Sequence, residues 1–486
     1  FENFQNTGKE MFFANGTEIV ISERDDSVPG ALITWDGGSK KVTAKAYIFG
    51  GNHNSDTTLE SSSITMNGGA VYNNTDNQLE IINSGFTSCS AVSGGAIYVS
   101  PTSHNCTVIT SVFENNYVTN ETANWDGNKF YWTAWDGTPM SYALSVTTDP
   151  TKINTTEVGV DTIFYCASEE EGKEQMAIGG AISCLAANAT IRDSNFTNNT
   201  ARLGGALYIG TYEGHTNINR SIFTSNVAYE RGGAVNLHAS GVHIDEGEFY
   251  NNIAVNGSAL YVGGIGTSNK VHESIFDGNN ATGYGAGIYW RAFEGEIINS
   301  EFTRNNATYG GGIYLNGESA NTNITNTTFT YNNAIKNGGA IECNASNIGI
   351  YNLTFEYNYA GEYGAALCRE ANATGGFGGN NSFIKNHADI AGAALAWLGV
   401  DGININNYTF INNSADVSGG AIYVSPTSHN CSIIDCNFED NYVTNKTGGW
   451  TSGGQFNWIS WDGKDQSIEI DVPPLGMVAF EYTHKF

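Results

Sequence analysis

The chain has 486 residues, with 21 Lys and Arg against 49 Asp and Glu, a net charge of -28 and a pI near 4.5. So acidic a surface repels phosphate backbones and anionic bilayers, which excludes nucleic acid as a partner. No basic leader and no apolar span of membrane-crossing length stands in the sequence, so we expect no membrane insertion and a mature or processed product.

Residues 1–65 read as an N-terminal cap with irregular first rungs. Phe1 to Asn6 resembles a fragment of the repeat that fills most of the chain, and Trp35, Asp36 and Gly37 form the first of three WDG triplets.

Residues 66–116 carry the first rungs of that repeat. Its mark is FxxNxA followed by GGA plus an aliphatic residue. The Phe positions run 86, 113, 196, 223, 249, 276, 302, 329, 355, 383, 410 and 438, and apart from one gap the steps are 26 to 28 residues. Three residues after the first Gly an aliphatic recurs (Val71, Ile97, Leu207, Val235, Ile288, Ile313), often followed by Tyr and then by another apolar side chain. Period two predicts a strand with aliphatics inward and tyrosines outward. A second short strand carries an aliphatic five residues before Phe, as at Ile191, Ile218 and Ile297, and Ser often lies two before Phe. The Asn three after Phe (Asn116, Asn199, Asn226 and onward to Asn441) predicts a ladder, because identical amides can bond to one another from turn to turn. Two or three short strands per repeat, with no helical period, predict an all-β, right-handed parallel β-helix. Twelve rungs at ~4.8 Å would extend on the order of 60 Å.

Residues 117–177 interrupt the repeat as a Trp-rich insertion. SGGAIYVSPTSHNC is identical at 93–106 and 418–431, NYVTN comes after both, and Trp125, Trp132 and Trp135 then match Trp450, Trp458 and Trp461. The main β-helix is placed at 178–441 and a C-terminal Trp-rich module or cap at 442–486. The modules read either as caps over open sheet edges or as contact surfaces for neighbouring subunits or glycans. The candidate contact residues are these six tryptophans and the outward row Tyr261, Tyr289 and Tyr314. Trp290 and Trp397 fall on the inward register and are assigned to the core.

Cys184 and Cys343 share that inward register while Cys368 falls outward, so pleat parity separates Cys343 from Cys368. Cys89 with Cys106 and Cys431 with Cys436 are the candidate disulfides. No Cys/His cluster has zinc spacing. No cofactor is expected; calcium is the one candidate ligand, through Asp126, Asp136 and Asp462 of the WDG loops, where Asp-Gly also reads as a turn pair. Asn-x-Ser/Thr sequons at Asn15, Asn73, Asn120, Asn154, Asn188, Asn256, Asn280, Asn306, Asn344, Asn372, Asn412 and Asn445 are candidate glycosylation sites in a secreted chain, although an Asn-rich chain generates sequons by chance.

The GGAI and FxxN pairing, over roughly 66–116 and 178–441, resembles the repeat of chlamydial polymorphic membrane proteins and the similar repeats of adhesin-like surface proteins of methanogenic archaea. The former are similar to autotransporters with a large C-terminal barrel, and the stretch after Phe438 is too short for one, so the archaeal resemblance is preferred. It implies a non-catalytic, extracellular cell-surface protein. A regular rod with like modules at its ends predicts a partner of its own kind, in a sheath, layer or fibre. The alternatives are a monomeric adhesin for surface glycans and a polysaccharide lyase or hydrolase. Asp193, Glu246, Asp277, Glu301 and Glu342 occupy differing registers and predict no compact acidic cluster, so no enzyme is expected.

Overall fold

The computed structural model describes residues 70–444 apart from 74–77, 92, 100–104, 187, 211–214, 240, 264–267, 371–378 and most of 119–177, together with the backbone of four strands before residue 46 and four within the insertion. The chain divides into two compact units, Phe1–Val443 and Thr444–Phe486, and the description concerns the first.

A full turn of the first unit lays down four short strands, as in Ile288–Trp290, Glu296–Ile298, Glu301–Thr303 and Asn306–Ala307, and among the described residues the turn from Leu367 to Ala388 has three. Equivalent strands of successive turns pair in parallel. Among the described residues they build sheets of 14, 11, 12 and 12 strands, and the second sheet resumes as the pair Asn404–Asn406 and Ser432–Ile434. The architecture is an all-β parallel solenoid. The expected two or three strands per repeat become four: the additional one, such as Asn306–Ala307, is too short to show an alternating pattern in sequence.

The expected coiling is present. Phe223 pairs with Phe249 and Phe249 with Phe276 in direct register, and the same column runs unbroken from Phe86 to Phe438. Neighbouring ring centroids lie 4.6 to 5.0 Å apart with interplanar angles of 2° to 13°. That separation is the strand spacing, so backbone register rather than ring preference sets the stack.

The asparagine ladder accounts for every polar atom of its amides. Asn279 donates its backbone N–H to Asn305 Oδ1 at 3.1 Å, and its Nδ2 donates to the same oxygen at 2.9 Å and to the Phe249 carbonyl at 3.0 Å. Its own Oδ1 accepts from the Asn252 backbone and side chain, each at 3.0 Å. A second ladder explains the Ser before Phe: Ser274 N–H donates to Ser300 Oγ at 3.2 Å, while Ser274 Oγ donates back to the His272 carbonyl at 2.7 Å. Buried polar groups are thereby satisfied at each corner.

Those corners are left-handed. Residues three before Phe (Asn83, Asp193, Arg220, Glu246) and two after it (Asn198, Ser225, Asn251, Tyr331, Tyr357) have φ between 45° and 57°. Most are not glycine, and each aims its backbone N–H at a carbonyl one turn on, as Asn251 does toward Asp277. Continuous inter-turn bonding holds a conformation that costs an isolated L-residue ~1–2 kcal/mol.

The interior is apolar, and Trp290 and Trp397 belong to it as expected. Arg369 departs from the pattern, lying fully buried at the inward position between Cys343 and Trp397 in the column. Cys343 and Cys368 are on opposite faces, since Cys343 pairs with Arg369 and Cys368 with Glu342. Neither candidate disulfide is formed, and Cys106, Cys431 and Cys436 are free thiols. Cys89 fills the first ladder position, its N–H donating to Asn116 Oδ1, and Cys106 has Cys184 of the next turn as its sulfur neighbour. Cys431 and Cys436 bond instead to the His429 and Ile434 carbonyls.

The insertion holds a small sheet. Asn124–Trp125, Lys129–Thr133 and Pro139–Val146 run antiparallel in sequence, and Ile163–Cys166 adds in parallel to the last. The side chains of Trp125, Trp132, Trp135, Trp450, Trp458 and Trp461, and of Asp126, Asp136 and Asp462, lie outside the described residues. Among the described residues no helix is long and apolar enough to cross a membrane.

Candidate functional site

Two surfaces of the first unit have the character of contact sites, and both arise from the repeat. The first is the outer face of the sheet that GGA introduces. The leading Gly of each copy has φ between 58° and 67°, and a Cβ there would fall 2.1 to 2.6 Å from the carbonyl oxygen three residues on. The bend lays the preceding residue back over the strand. The outer face therefore carries two columns: the residue before Gly (Ile178, Leu203, Tyr284, Tyr309) and the Tyr position (Tyr208, Tyr261, Tyr289, Tyr314).

The tyrosines take the outer face as expected, but the outer face is not everywhere open to solvent. Tyr98, Tyr208 and Tyr261 are buried, and Tyr208 packs with Ile178, Leu203 and Leu185. Alternation identifies which face of the sheet a residue takes, but not whether the chain folds back over it.

Tyr261, Tyr289 and Tyr314 do form a row, with centroids 4.8 and 5.3 Å apart. Tyr284 meets Tyr314 at 4.7 Å and stacks on Tyr309 at 5.1 Å, making a patch of five rings. Three of the chain's few cations border it. Arg231 lies 5.2 Å over Tyr261, Lys336 lies 5.5 Å over Tyr309, and Arg291 forks onto Glu318 at 2.8 and 3.0 Å. Burial, with Tyr261 beside it, pushes the Tyr289 hydroxyl up to about 12, and Asn316 donates to it at 3.0 Å. Within the row each ring face is turned to the next ring, so outward go edges and hydroxyls. Stacking on a sugar needs a free ring face, which the row spends on itself.

Beyond Tyr314 the column continues into Glu342, which is fully buried, with neither carboxylate oxygen hydrogen-bonded. Burial first, and then the charge of Glu370, raise its pKa well above the ordinary carboxyl range. A raised folded-state pKa makes its stability contribution complete below the unfolded value of ~4.3 and lost as pH climbs through the folded one. Glu342→Gln is therefore expected to gain stability over the parent as pH rises from about 4.3 to neutrality, and to match it below that window. Urea titrations at both ends check this; a constant difference between the two proteins across the window contradicts it.

The second surface is the last described turn, comprising Ile422–Val424, Ser432–Ile434, Asn437–Glu439 and Tyr442–Val443. Among the described residues each of these strands pairs only with the turn before it. Two inward columns that are sealed elsewhere are open here: Phe438 is 44% exposed and Ile433 36%, whereas Phe86 to Phe410 and Ile405 of the same columns are at 0%; the outward Ile434 and Tyr442 are exposed beside them. The ladder ends at Asn441, whose Nδ2 donates back to the Phe410 carbonyl.

Of the candidate sequons, Asn188 and Asn280 are exposed, and Asn256, Asn306, Asn344 and Asn412 are half-buried. Asn280 and Asn306 share an outer column one turn apart, with Asn306 Nδ2 donating to Asn280 Oδ1 at 2.9 Å. The side chain of Asn73 and all of Asn15, Asn120, Asn154, Asn372 and Asn445 lie outside the described residues. The acids weighed for catalysis separate: Asp193 pairs with Arg220 at 2.8 Å, Asp277 with Arg304 at 2.9 Å, and Glu342 is sealed. The expectation of no compact acidic cluster needs correction at one place that sequence reading missed. His387, Asp389 and Asp416 bring three ligand-type atoms within 4.8 Å of one another. Its trace in sequence is HAD followed one repeat later by SAD.

Comparison with known proteins agrees with the repeat. The Chlamydia polymorphic membrane protein repeat model matches residues 193–210 and 407–425, each spanning one Phe and Asn unit, so these segments are similar to that repeat. No curated protein matches the chain. Among solved structures, the A-module of the Azotobacter vinelandii mannuronan C-5 epimerase AlgE6 aligns over 83% of this chain and 91% of its own, at 10% identity and a TM-score of 0.28. So low a score carries no argument about this chain.

Proposed function

We propose that this chain is a non-catalytic structural protein of the extracellular cell surface, a glycosylated solenoid that associates with copies of itself into a sheath, layer or fibre. The observation that carries the reading is the last described turn. Among the described residues its strands are edges, its Phe and Asn columns stop without a successor, and it exposes Phe438, Ile433, Ile434 and Tyr442 together. Open, apolar sheet edges are the parts of β proteins that recruit further strands. The surface location draws on the similarity to a repeat of polymorphic membrane proteins and on the acidic composition.

An adhesin for surface glycans is the second reading, and the half-exposed tyrosine patch with Arg231, Arg291 and Lys336 is what favours it. The scaffold reading is preferred because the Tyr261, Tyr289 and Tyr314 rings occupy one another's faces.

The test is sedimentation of the full chain and of Phe438→Asp and Ile434→Asp, at low salt and at high salt. The parent is expected to self-associate, more so when salt screens its net charge of -28. Either carboxylate at the edge should abolish that association while the circular dichroism of the stack is unchanged. A parent that sediments as a monomer at every salt concentration, and that binds members of a glycan array, decides for the adhesin.

A further inference from the structure

On the outer side of the two-residue strands the repeat normally places uncharged pairs. The column after the small residue holds Thr282, Thr308, Ile335 and Gly361 on successive turns, and then changes to Asp389 and Asp416. In the adjoining column Asn280, Asn306, Asn333 and Tyr359 give way to His387 at the same turn. Register brings these substitutions together, because His387 pairs with Ser414 and Ala388 with Ala415, leaving Asp389 and Asp416 one turn apart. Like charges set directly opposite on neighbouring strands are destabilising. Two such acids and an imidazole arriving together call for a cation between them.

The geometry has the form of a ligand set. His387 Nε2 lies 3.5 Å from Asp389 Oδ1 and 3.8 Å from Asp416 Oδ1, too long for good hydrogen bonds. The far atoms of two of these groups are held by other residues. Ser414 Oγ is 2.8 Å from His387 Nδ1, and the Tyr359 hydroxyl donates to Asp389 Oδ2 at 2.6 Å. Such outer partners fix the tautomer of a ligating imidazole and the orientation of a ligating carboxylate. The ligand atoms of the three residues lie within 4.8 Å of one another, partly open to solvent.

We propose that His387, Asp389 and Asp416 bind one divalent transition-metal ion of zinc's class, clipping two successive turns together. Metal–ligand bonds of ~2.0–2.2 Å require ligand atoms roughly 3–3.5 Å apart, with a fourth position for water; the two His387 separations of 3.5 and 3.8 Å are already close to that, and the carboxylate oxygens, within 4.8 Å, have to draw together. Imidazole favours zinc, nickel or copper, whereas calcium prefers an all-oxygen shell, so the site differs in kind from a WDG calcium loop.

The experiment is isothermal titration of the untagged full chain with zinc chloride, with calcium chloride as control, repeated on His387→Gln and Asp416→Asn. Cobalt(II) serves as the spectroscopic probe of the same site. The parent is expected to bind one equivalent of zinc through this site, to raise its thermal midpoint when loaded and to give the visible absorption of low-coordinate cobalt. Each variant should lose at least tenfold in zinc affinity, together with the cobalt band, at unchanged circular dichroism. Zinc binding that is the same in parent and variants overturns the proposal. So does a parent that binds no zinc. The Asp416→Asn result keeps the test valid if His387→Gln fails to fold, since the Asp416 side chain is about half exposed and asparagine keeps its shape.

Discussion

Asn279→Ala is expected to weaken the middle of the stack by about 3–5 kcal/mol, more than most single surface or core changes. The alanine leaves three buried groups without their partner: the Asn252 backbone N–H, the Asn252 Nδ2 hydrogen that met Asn279 Oδ1, and the Phe249 carbonyl. Each such loss costs ~1–3 kcal/mol, and no water replaces the amide in a column that is fully buried. Asn279→Asp should cost at least as much, because it donates nothing and buries a charge. A solenoid's turns contact only their neighbours, so the damage should stay local. Hydrogen exchange should accelerate at amides of the turns holding Asn252, Asn279 and Asn305 and not at Asn386. Uniform acceleration along the whole chain, or none, contradicts the ladder as the element holding that corner.

Gly310→Ala is the second large effect, expected to cost about 3 kcal/mol. Gly310 has φ of +63°, and an added Cβ would lie 2.4 Å from the Ile313 carbonyl oxygen and 2.9 Å from its carbon, all backbone atoms. The left-handed conformation contributes ~1–2 kcal/mol and the forced displacement a similar amount. The neighbouring position offers a control, because Ala286, Ala365 and Ala393 occupy the second Gly position in other turns. Gly311→Ala should therefore be the milder of the two in a urea titration, although its Cβ too would crowd the next turn's carbonyl oxygens. The reverse order would show that spacing between turns, not the bend, is what the glycines serve.

The two substitutions mark what was legible in the sequence. The Phe column, the Asn ladder, the Ser before Phe and the inward aliphatics could be read because each turn rebuilds the same environment, so one requirement is written many times. The left-handed corners were not legible. Residues such as Arg220, Tyr331 and Lys385 take φ near +50° without the glycine that normally announces it, since inter-turn hydrogen bonds supply the restraint. The fourth strand was hidden by its two-residue length. The burial of Tyr98, Tyr208 and Tyr261 depends on the chain bending back at Gly, a relation between columns rather than within one. Glu342 and the His387, Asp389 and Asp416 cluster were missed because they are single-turn departures, which a search for the recurrent averages away. The cysteines show the converse error: nearness in sequence suggested Cys89 with Cys106, whereas the coil brings Cys184 to Cys106 from the next turn.

The surface reading joins these elements. A column of amides and rings that could continue indefinitely has to end, and among the described residues it ends at a turn where Phe438 is exposed and Asn441 half-buried. The most direct measurement is electron microscopy of the purified full chain, with fibre diffraction of any ordered assembly. End-to-end association predicts threads or layers with a strand reflection at ~4.8 Å along the solenoid axis, continuous from one copy to the next. Dispersed single particles under all conditions, or assemblies joined only through their flanks and unaffected by Phe438→Asp, would contradict it.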